Sequence, residues 1–209
     1  MRVFSLSRGA FLALACAIVA AGLVARVAVG ASKNDFHVDE GITLAVTNGS
    51  WKPPVVGPLF DRWLSKGELE DLAFNANLRS ARRVDVVGIA RTTASDVHPP
   101  LFYWLFALAR LAVGVERHVA AALLLNGFCF MASAALLCGA TVRVAVRGPS
   151  GDAVAGRAVA LVALAIYSFS SASVALTSFM RMYGLLEAVS VAFACCASFV
   201  VFPPPARVS

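Results

Sequence analysis

The sequence predicts an all-α integral membrane protein with about four transmembrane helices and a long polar first loop that carries short membrane-surface helices. Of its 209 residues, 59% are apolar and only 14% are charged, whereas soluble domains have roughly 45–50% apolar and about 25% charged residues. Several apolar runs approach the roughly 20 residues that a helix needs to cross a bilayer. We therefore treat residues 1–209 as a single membrane domain.

The first apolar run covers residues 9–31 and follows two arginines, Arg2 and Arg8. A cleaved signal peptide has a similar charged start, but its apolar core is only about 7–15 residues long. The run therefore predicts an uncleaved first transmembrane helix. Basic residues before it favour a cytoplasmic N-terminus, so the chain from residue 32 onward is expected in the lumen or periplasm. Arg26, near the outer end, is expected to extend to the membrane surface or to meet a lipid phosphate.

Residues 32–98 form the long lumenal or periplasmic loop of this prediction. Asp39 to Asn48 has the pattern of a short amphipathic helix, which Asn48 and Gly49 would end. Residues 59–64 and 68–78 carry two more short helical patterns. These patterns are too polar to span a bilayer and too apolar to stand alone in water, so we expect them along the membrane surface.

A short apolar helix is predicted over residues 99–114, and it contains Arg110. About 15 apolar residues are few for a full span, so this helix either crosses the membrane or dips into the outer leaflet. Three further transmembrane helices are predicted over residues 119–142, 158–178 and 185–202. The loop between the first two carries Arg143, Arg147 and Arg157, and such a loop favours the cytoplasm. This loop lies in the cytoplasm only if the helix over residues 99–114 does not cross the membrane. We therefore favour the non-crossing alternative.

Charge and cysteine content exclude some classes of protein. The formal charge of +6 suits a protein that faces anionic or phosphate-bearing lipids. It does not predict nucleic-acid binding, because no Lys/Arg run is interleaved with exposed aromatic residues. All five cysteines lie in apolar segments without metal-ligand spacing, so we expect small buried apolar side chains. These residues are Cys16, Cys129, Cys138, Cys195 and Cys196.

Three polar clusters stand out against this apolar background. The first follows the first helix, the second precedes the short helix, and the third begins the last span. Their members are Asp39 and Glu40, then Asp96 and His98, then Arg181, Tyr183 and Glu187. Adjacent residues of a helix point about 100° apart. We therefore expect one of the two neighbouring acids to face a site and the other to anchor the helix.

Each cluster also has a purely structural interpretation. The acidic pair can be a solvated loop start, and Asp96 can cap a helix beside a solvated His98. Glu187 lies inside an apolar helix, where a carboxylate is a functional candidate, and Arg181 is its nearest candidate partner. A structural salt bridge between these two residues is the alternative. Asp96 with His98 is too small a ligand set to predict a metal site.

Three motifs carry a resemblance to a known family. They read DEGITLAVTNGSW, DVHPPLFYWL and SFMRMYGLLEAV, in this order along the chain. Together they resemble the N-terminal half of the GT-C class of polyprenyl-phosphate-sugar-dependent glycosyltransferases, which includes protein O-mannosyltransferases and the aminoarabinose transferases of lipid A. The likeness covers roughly residues 10–200. It implies a catalytic role for Asp39 with Glu40 beside it, and donor binding by Asp96, His98, Arg181, Tyr183 and Glu187.

The resemblance also implies a reaction and a place in the cell. A sugar would pass from a polyprenyl- or dolichyl-phosphate donor to a hydroxyl of a protein or glycolipid, in a single inverting displacement with Asp39 as the base. It would do so in the endoplasmic reticulum membrane or the bacterial inner membrane. The leaving group would be a phosphate monoester, for which no metal or other cofactor is implied.

Two departures from the family pattern matter. Family members usually continue with further membrane helices, so the resemblance implies that this chain is an N-terminal portion; and Glu187 stands where some relatives have Asp. The competing interpretations are a non-catalytic transporter-like or scaffold subunit, or an inactive fragment of the enzyme. Transporters often contain inverted repeats, and the sequence has no internal repeat. The transferase interpretation requires the polar clusters to meet at one end of the helices.

Overall fold

A computed structural model gives the arrangement of most of the chain. It describes residues 6–34, 36–47, 63–65, 67, 84–94, 99–147 and 151–201. The helices of this part are α1 (Arg8–Ala31), α2 (Val38–Thr47), α3 (Val86–Thr93), α4 (Pro100–Val113), α5 (His118–Arg147), α6 (Ala153–Phe169), α7 (Ser171–Ser178) and α8 (Tyr183–Val201). Two short strands, β1 (Phe36–His37) and β2 (Trp63–Leu64), pair antiparallel.

Among the described residues, three helices are long and apolar enough to cross a membrane, namely α1, α5 and α8. A fourth candidate consists of α6 and α7, which are bent by 50° relative to each other. The prediction of an all-α membrane protein is thereby confirmed, with three to four candidate spans. The lumenal or periplasmic position of the first loop stays a prediction.

The contacts between helices give their directions. Gly30, near the end of α1, lies against Leu123, near the start of α5, so these two helices are antiparallel. Arg157, near the start of α6, donates from Nη1 to the carbonyl oxygen of Leu6 at 2.8 Å. Helix α6 therefore begins beside the start of α1. We call this end of the bundle, which carries Arg8, Arg147 and Arg157, the basic end.

Helix α8 runs in the same direction as α5. Gly184 lies against Asn126 near the starts of the two helices, and Cys195 Sγ lies 3.4 Å from the carbonyl oxygen of Leu136 further along. Both helices therefore run from the opposite end of the bundle toward the basic end. We call that opposite end, which carries Asp39, Glu40 and Arg181, the site end.

Helix α4 begins and ends at the site end. Arg110, in its last turn, donates from Nη1 to Thr47 Oγ1 at 3.1 Å, and Thr47 is the last residue of α2. The His118 ring, which follows α4, lies edge-on to the Phe36 ring, with 6.1 Å between ring centroids. Whether α4 crosses the membrane, and which end of the bundle faces which side, stay predictions.

Arg110 is a buried cation of this short helix, which is not among the candidate spans. Burial lowers the pKa of its guanidinium to about 10. The side chain therefore remains protonated at neutral pH. Besides Thr47, it reaches the carbonyl oxygen of Val115 with both Nε and Nη2, at 3.2 and 3.1 Å. It thereby fastens the end of α4 to α2 and to the turn before α5.

A hydrophobic core at the site end packs the short helices α2, α3 and α4 against α5. Its buried members come from β1, α2, α3, α4, α5 and the turn before α8. They include Leu44, Ile89, Phe106, Ala121 and Met180, each at most 1% exposed. Burying a leucine, isoleucine, phenylalanine or methionine side chain contributes about 1.5–3 kcal/mol. The elements that carry the polar clusters are therefore fixed to one another by apolar packing.

Several predicted boundaries are wrong. The span predicted over residues 158–178 is two helices, and Ser170 between them caps α7 by accepting the Ser173 main-chain N–H at 3.1 Å. Helix α5 extends to Arg147, so Arg143 is helical and not part of a loop. Residues 63–64 are a strand where a helix was predicted, and α3 was not predicted. The helical pattern predicted over residues 68–78 lies outside the described residues.

The expectation of buried cysteines is correct only in part. Cys129 and Cys195 are buried and Cys138 is half-buried, but Cys16 and Cys196 are exposed on the outside of the bundle. All five are free thiols. A helix that is apolar on all sides gives no signal of which side faces a neighbouring helix, and this explains the two errors.

Candidate functional site

Glu40 is the anchor of the acidic pair. Its side chain is fully buried, and both carboxylate oxygens lie 2.6 Å from Lys33 Nζ. The carboxylate also accepts the main-chain N–H of His37 at 2.9 Å and that of Met180 at 2.8 Å. Glu40 thus joins the chain leaving α1, strand β1 and the turn before α8. Its hydrogen-bonding capacity is largely used by these structural contacts.

Asp39 faces the other way and remains accessible. One third of its side chain is exposed, and its Oδ2 lies 3.5 Å from Nη2 of Arg181. Arg181 also donates from Nη1 to the main-chain oxygen of Asp39 at 3.4 Å. The two neighbouring acids therefore have different surroundings, as their positions on a helix require. Asp39 is the one that a ligand can reach.

His37 lies beside Asp39 and was missed by the sequence reasoning. Its Nδ1 accepts the main-chain N–H of Asp39 at 3.3 Å and lies 3.5 Å from Oδ2 of the same residue. The nitrogen that accepts from the main chain uses its lone pair, so in the neutral ring the proton belongs on Nε2. The Asp39 carboxylate therefore lies between an imidazole and a guanidinium. The only sequence signal was its position two residues before Asp39.

Lys33 was missed as well, and it connects the first cluster with the third. Besides pairing with Glu40, its ammonium lies 4.3 Å from the centroid of the Phe179 ring. A cation over an aromatic face is a favourable contact. Phe179 in turn lies edge-on to Tyr183, with 6.5 Å between centroids. Tyr183 is therefore connected to Glu40 through Phe179 and Lys33.

The first and third clusters meet, although 142 residues separate Asp39 from Arg181. The second cluster cannot be placed in the same way, because Asp96 and His98 lie outside the described residues. The helix that follows them is described, and its residues Phe102 and Tyr103 belong to the core at the site end. The start of α4 is therefore packed against the elements that hold the Asp39–Arg181 pair.

Glu187 has a different neighbour from the one predicted. It follows Tyr183 by four residues, which places it about 6 Å further along α8. Its Oε1 lies 3.4 Å from Ser173 Oγ, and that hydroxyl accepts a hydrogen bond from Arg26 Nη2 at 2.7 Å. The predicted pairing of Arg181 with Glu187 is thus corrected: Arg181 pairs with Asp39, and Glu187 is linked to Arg26.

Arg26 neither extends to the surface nor faces a lipid headgroup, contrary to both expectations. Its side chain is 1% exposed, and its guanidinium lies 3.7 Å from the centroid of the Phe130 ring. Nη1 donates to the carbonyl oxygens of Ser168 at 2.7 Å and Gly22 at 3.1 Å. The last carbonyls of a helix have no partner within it. Arg26 satisfies one of these carbonyls where α6 ends at the bend.

Asn126 fixes the turn before Arg181 from the side of α5. Its Nδ2 donates to the carbonyl oxygens of Thr177 at 3.0 Å and Phe179 at 2.8 Å. Gly184 lies so close that an added Cβ would be 2.8 Å from Asn126 Oδ1. The polar position that interrupts an otherwise apolar helix is therefore a positioning residue. It holds the segment that presents Arg181 to Asp39.

Within the described residues, His, Cys, Asp and Glu form no group of three or more that could hold a metal ion. The arrangement offers instead an accessible carboxylate beside an arginine and an imidazole. Such a set can accept a proton and bind an anionic group. Comparisons of the chain with protein-family models, curated proteins and solved structures found no match. The glycosyltransferase resemblance therefore rests on its three motifs.

Proposed function

We propose that this protein is a membrane glycosyltransferase of the GT-C type. It would transfer a sugar from a polyprenyl- or dolichyl-phosphate donor to a hydroxyl of a protein or glycolipid, on the lumenal or periplasmic side of the endoplasmic reticulum membrane or bacterial inner membrane. One observation carries the proposal. The accessible Asp39 lies 3.5 Å from Arg181, so two motifs of the resemblance meet at one end of the bundle.

Asp39 is the proposed general base. The Asp39 carboxylate takes the proton of the acceptor hydroxyl as the hydroxyl oxygen bonds to the anomeric carbon of the sugar. The bond between that carbon and the phosphate oxygen breaks, and the polyprenyl phosphate leaves with the electron pair. A single displacement of this kind inverts the anomeric centre. A positioned base contributes typically 10²–10⁴-fold to such a reaction.

Arg181 is the proposed partner of the donor phosphate. A guanidinium has a planar fork of donors that fits a carboxylate or a phosphate equally well. An arginine that pairs with Asp39 can therefore also pair with a phosphate, and a bound phosphate would lie next to the base. Charge that develops on the leaving phosphate would be stabilised by the same group. Tyr183 and His98 are further candidates for this role. Glu187 lies one turn further along α8 than Tyr183, toward the basic end.

The exposed apolar residues at the site end support a lipid-borne donor. Leu101 and Leu108 of α4 are about half exposed, as are Val86 and Val87 of α3. Exposed apolar side chains on short helices are typical of elements that lie in a membrane interface. The headgroup phosphate of a lipid donor would then lie at the level of the Asp39–Arg181 pair.

The test is a transfer assay in membranes that contain the full chain. Polyprenyl-phosphate mannose and polyprenyl-phosphate aminoarabinose serve as donor probes, and the control variant is Asp152→Asn, which changes an acid at the other end of the bundle. We expect Asp39→Asn to reduce transfer by about 10²-fold or more, with membrane insertion unchanged and the control near wild type. Transfer by Asp39→Asn at the wild-type rate would remove Asp39 from the mechanism.

A second arm separates donor binding from catalysis. We expect Arg181→Gln to raise the KM for the donor while the KM for the acceptor stays unchanged, because the substitution removes the proposed phosphate contact. An equal loss for both substrates would assign Arg181 a structural role. A wild-type protein that neither transfers from these donors nor binds polyprenyl monophosphate in native mass spectrometry would favour the non-catalytic alternative.

A further inference from the structure

A groove of about 820 Å³ lies between α1, α5 and α6, and neither Asp39 nor Glu40 lines it. Its walls are almost entirely apolar and include Phe11, Val19, Leu23, Met131 and Leu164. Two cations, Arg8 and Arg157, lie at its mouth at the basic end. An apolar groove with a cationic mouth is complementary to an amphipathic anion.

The two arginines differ in what holds them. Arg157 uses Nη1 to bind the carbonyl oxygen of Leu6 at 2.8 Å, which fixes its guanidinium and leaves further donors available. Arg8 is exposed and pairs with no acid among the described residues. Asp152, one turn before Arg157, already accepts the N–H groups of Val154 and Ala155 as a helix cap. The two cations outnumber this one carboxylate, so the described residues give the mouth a net positive charge.

The length of the groove matches one leaflet of a bilayer. Along α1 its lining runs from Arg8 to Leu23, which at 1.5 Å per residue is about 22 Å. One leaflet has about 15 Å of hydrocarbon and roughly 6 Å of headgroup layer. An acyl chain that starts at the arginines would thus contact apolar side chains along its full length in the leaflet.

We propose that this groove is a binding site for an anionic diacyl phospholipid of the leaflet at the basic end. The headgroup phosphate pairs with Arg8 and Arg157, and one acyl chain lies between α1 and α5. The site is independent of the proposed transferase reaction, because it lies at the opposite end of the bundle from Asp39. An anionic lipid is favoured over an apolar partner helix, because an apolar helix would leave the two cations at the mouth without a counter-charge.

The test is native mass spectrometry of the purified full chain, titrated with phosphatidylglycerol and with phosphatidylcholine of the same acyl chains. We expect phosphatidylglycerol to bind more tightly, and Arg8→Gln/Arg157→Gln to weaken it at least tenfold with little change for phosphatidylcholine. Arg147→Gln is the matched control, because it removes one charge from the same end outside the groove. Within the described part of the chain Arg8 makes no hydrogen bond through its side chain, so a severalfold loss for Arg8→Gln alone is measurable even if the double variant folds poorly.

A steric variant tests the apolar part separately. Gly139 lines the groove, and a Cβ added there would meet no atom within 4 Å. We expect Gly139→Leu to occupy part of the groove and to weaken the binding of both lipids. Equal binding of the two lipids by the wild type would overturn the proposal. So would an Arg147→Gln loss as large as that of the double variant, because it would indicate diffuse charge attraction.

Discussion

The two adjacent acids of α2 offer a direct test of the structure, because equal substitutions should have unequal effects. Glu40→Gln removes the charge of a fully buried carboxylate that Lys33, His37 and Met180 hold by short contacts. Asp39→Asn removes the charge of a carboxylate that is one third exposed and lies 3.5 Å from Arg181. We expect the first substitution to destabilise the fold and the second to leave it nearly unchanged.

The magnitudes follow from burial. Breaking a buried ion pair by removing one partner lowers the free energy of unfolding by about 3–5 kcal/mol, because the other charge is left without compensation. Lys33 is only 13% exposed in its side chain, so Glu40→Gln falls in this range. Arg181 is only 8% exposed in its side chain, but the amide oxygen that Asp39→Asn introduces can still accept from it, as the main-chain oxygen of Asp39 does. The loss expected for Asp39→Asn is therefore that of a partly exposed pair, about 0.2–1 kcal/mol. The expected difference between the variants is at least about 2 kcal/mol.

The assay is reversible unfolding of the purified protein in mixed micelles, with the denaturing detergent as the variable. Lys33→Met combined with Glu40→Gln provides the control, because removing both charges leaves no buried ion without a partner. We expect the double variant to be more stable than the sum of the single effects implies, by about 1–3 kcal/mol. Equal destabilisation by Asp39→Asn and Glu40→Gln would refute the division of roles between the acids.

Two further predictions concern the helix interface around Arg26. Gly22→Ala should destabilise the protein by about 1–3 kcal/mol, because the new Cβ would lie 2.9 Å from Cβ of Ser168; Gly139→Ala, which meets nothing within 4 Å, is the control in the same unfolding assay and should not destabilise. Arg26→Met should destabilise by about 1–3 kcal/mol, because the buried Ser168 carbonyl loses its donor; an unchanged midpoint would mean that other groups satisfy that carbonyl.

The sequence predicted those features of the fold that depend on local composition. Long apolar runs predicted α1, α5 and α8 because crossing a bilayer requires about 20 apolar residues. The amphipathic pattern from Asp39 to Asn48 predicted α2, which the structure places at Val38–Thr47. In each case the signal lies within the segment itself, so no knowledge of its neighbours was needed.

The bend at Ser170 was not predicted, because residues 158–178 are continuously apolar or small and contain no proline. Most sharp bends in helices coincide with proline, glycine or an inserted polar group. Here the group that accompanies the bend comes from another helix, since Arg26 binds the carbonyl of Ser168. Main-chain carbonyls look the same in every sequence, so such a partner has no sequence signal.

The sequence could predict which residues belong to the candidate site, but not how they are arranged. The motifs identified Asp39, Glu40 and Arg181, and the helical angle between neighbours indicated that the two acids differ. Which acid is buried depends on how the chain turns between the end of α1 and the start of α2. That turn is fixed by the pairing of Lys33 with Glu40 and by the long-range contact to Met180. Neither contact could be inferred without the fold.

The contacts of Arg26 impose an order on biosynthesis. Among its acceptors in the described part of the chain, the carbonyl of Gly22 belongs to its own helix, whereas Ser168 and Ser173 are 142 and 147 residues away. At about 5–20 residues per second, the ribosome needs roughly 7–28 s to produce the first of them. During that interval the guanidinium of a newly inserted α1 needs water, lipid headgroups or the insertion machinery as a substitute. The first helix is thus synthesised before the residues that complete its contacts exist.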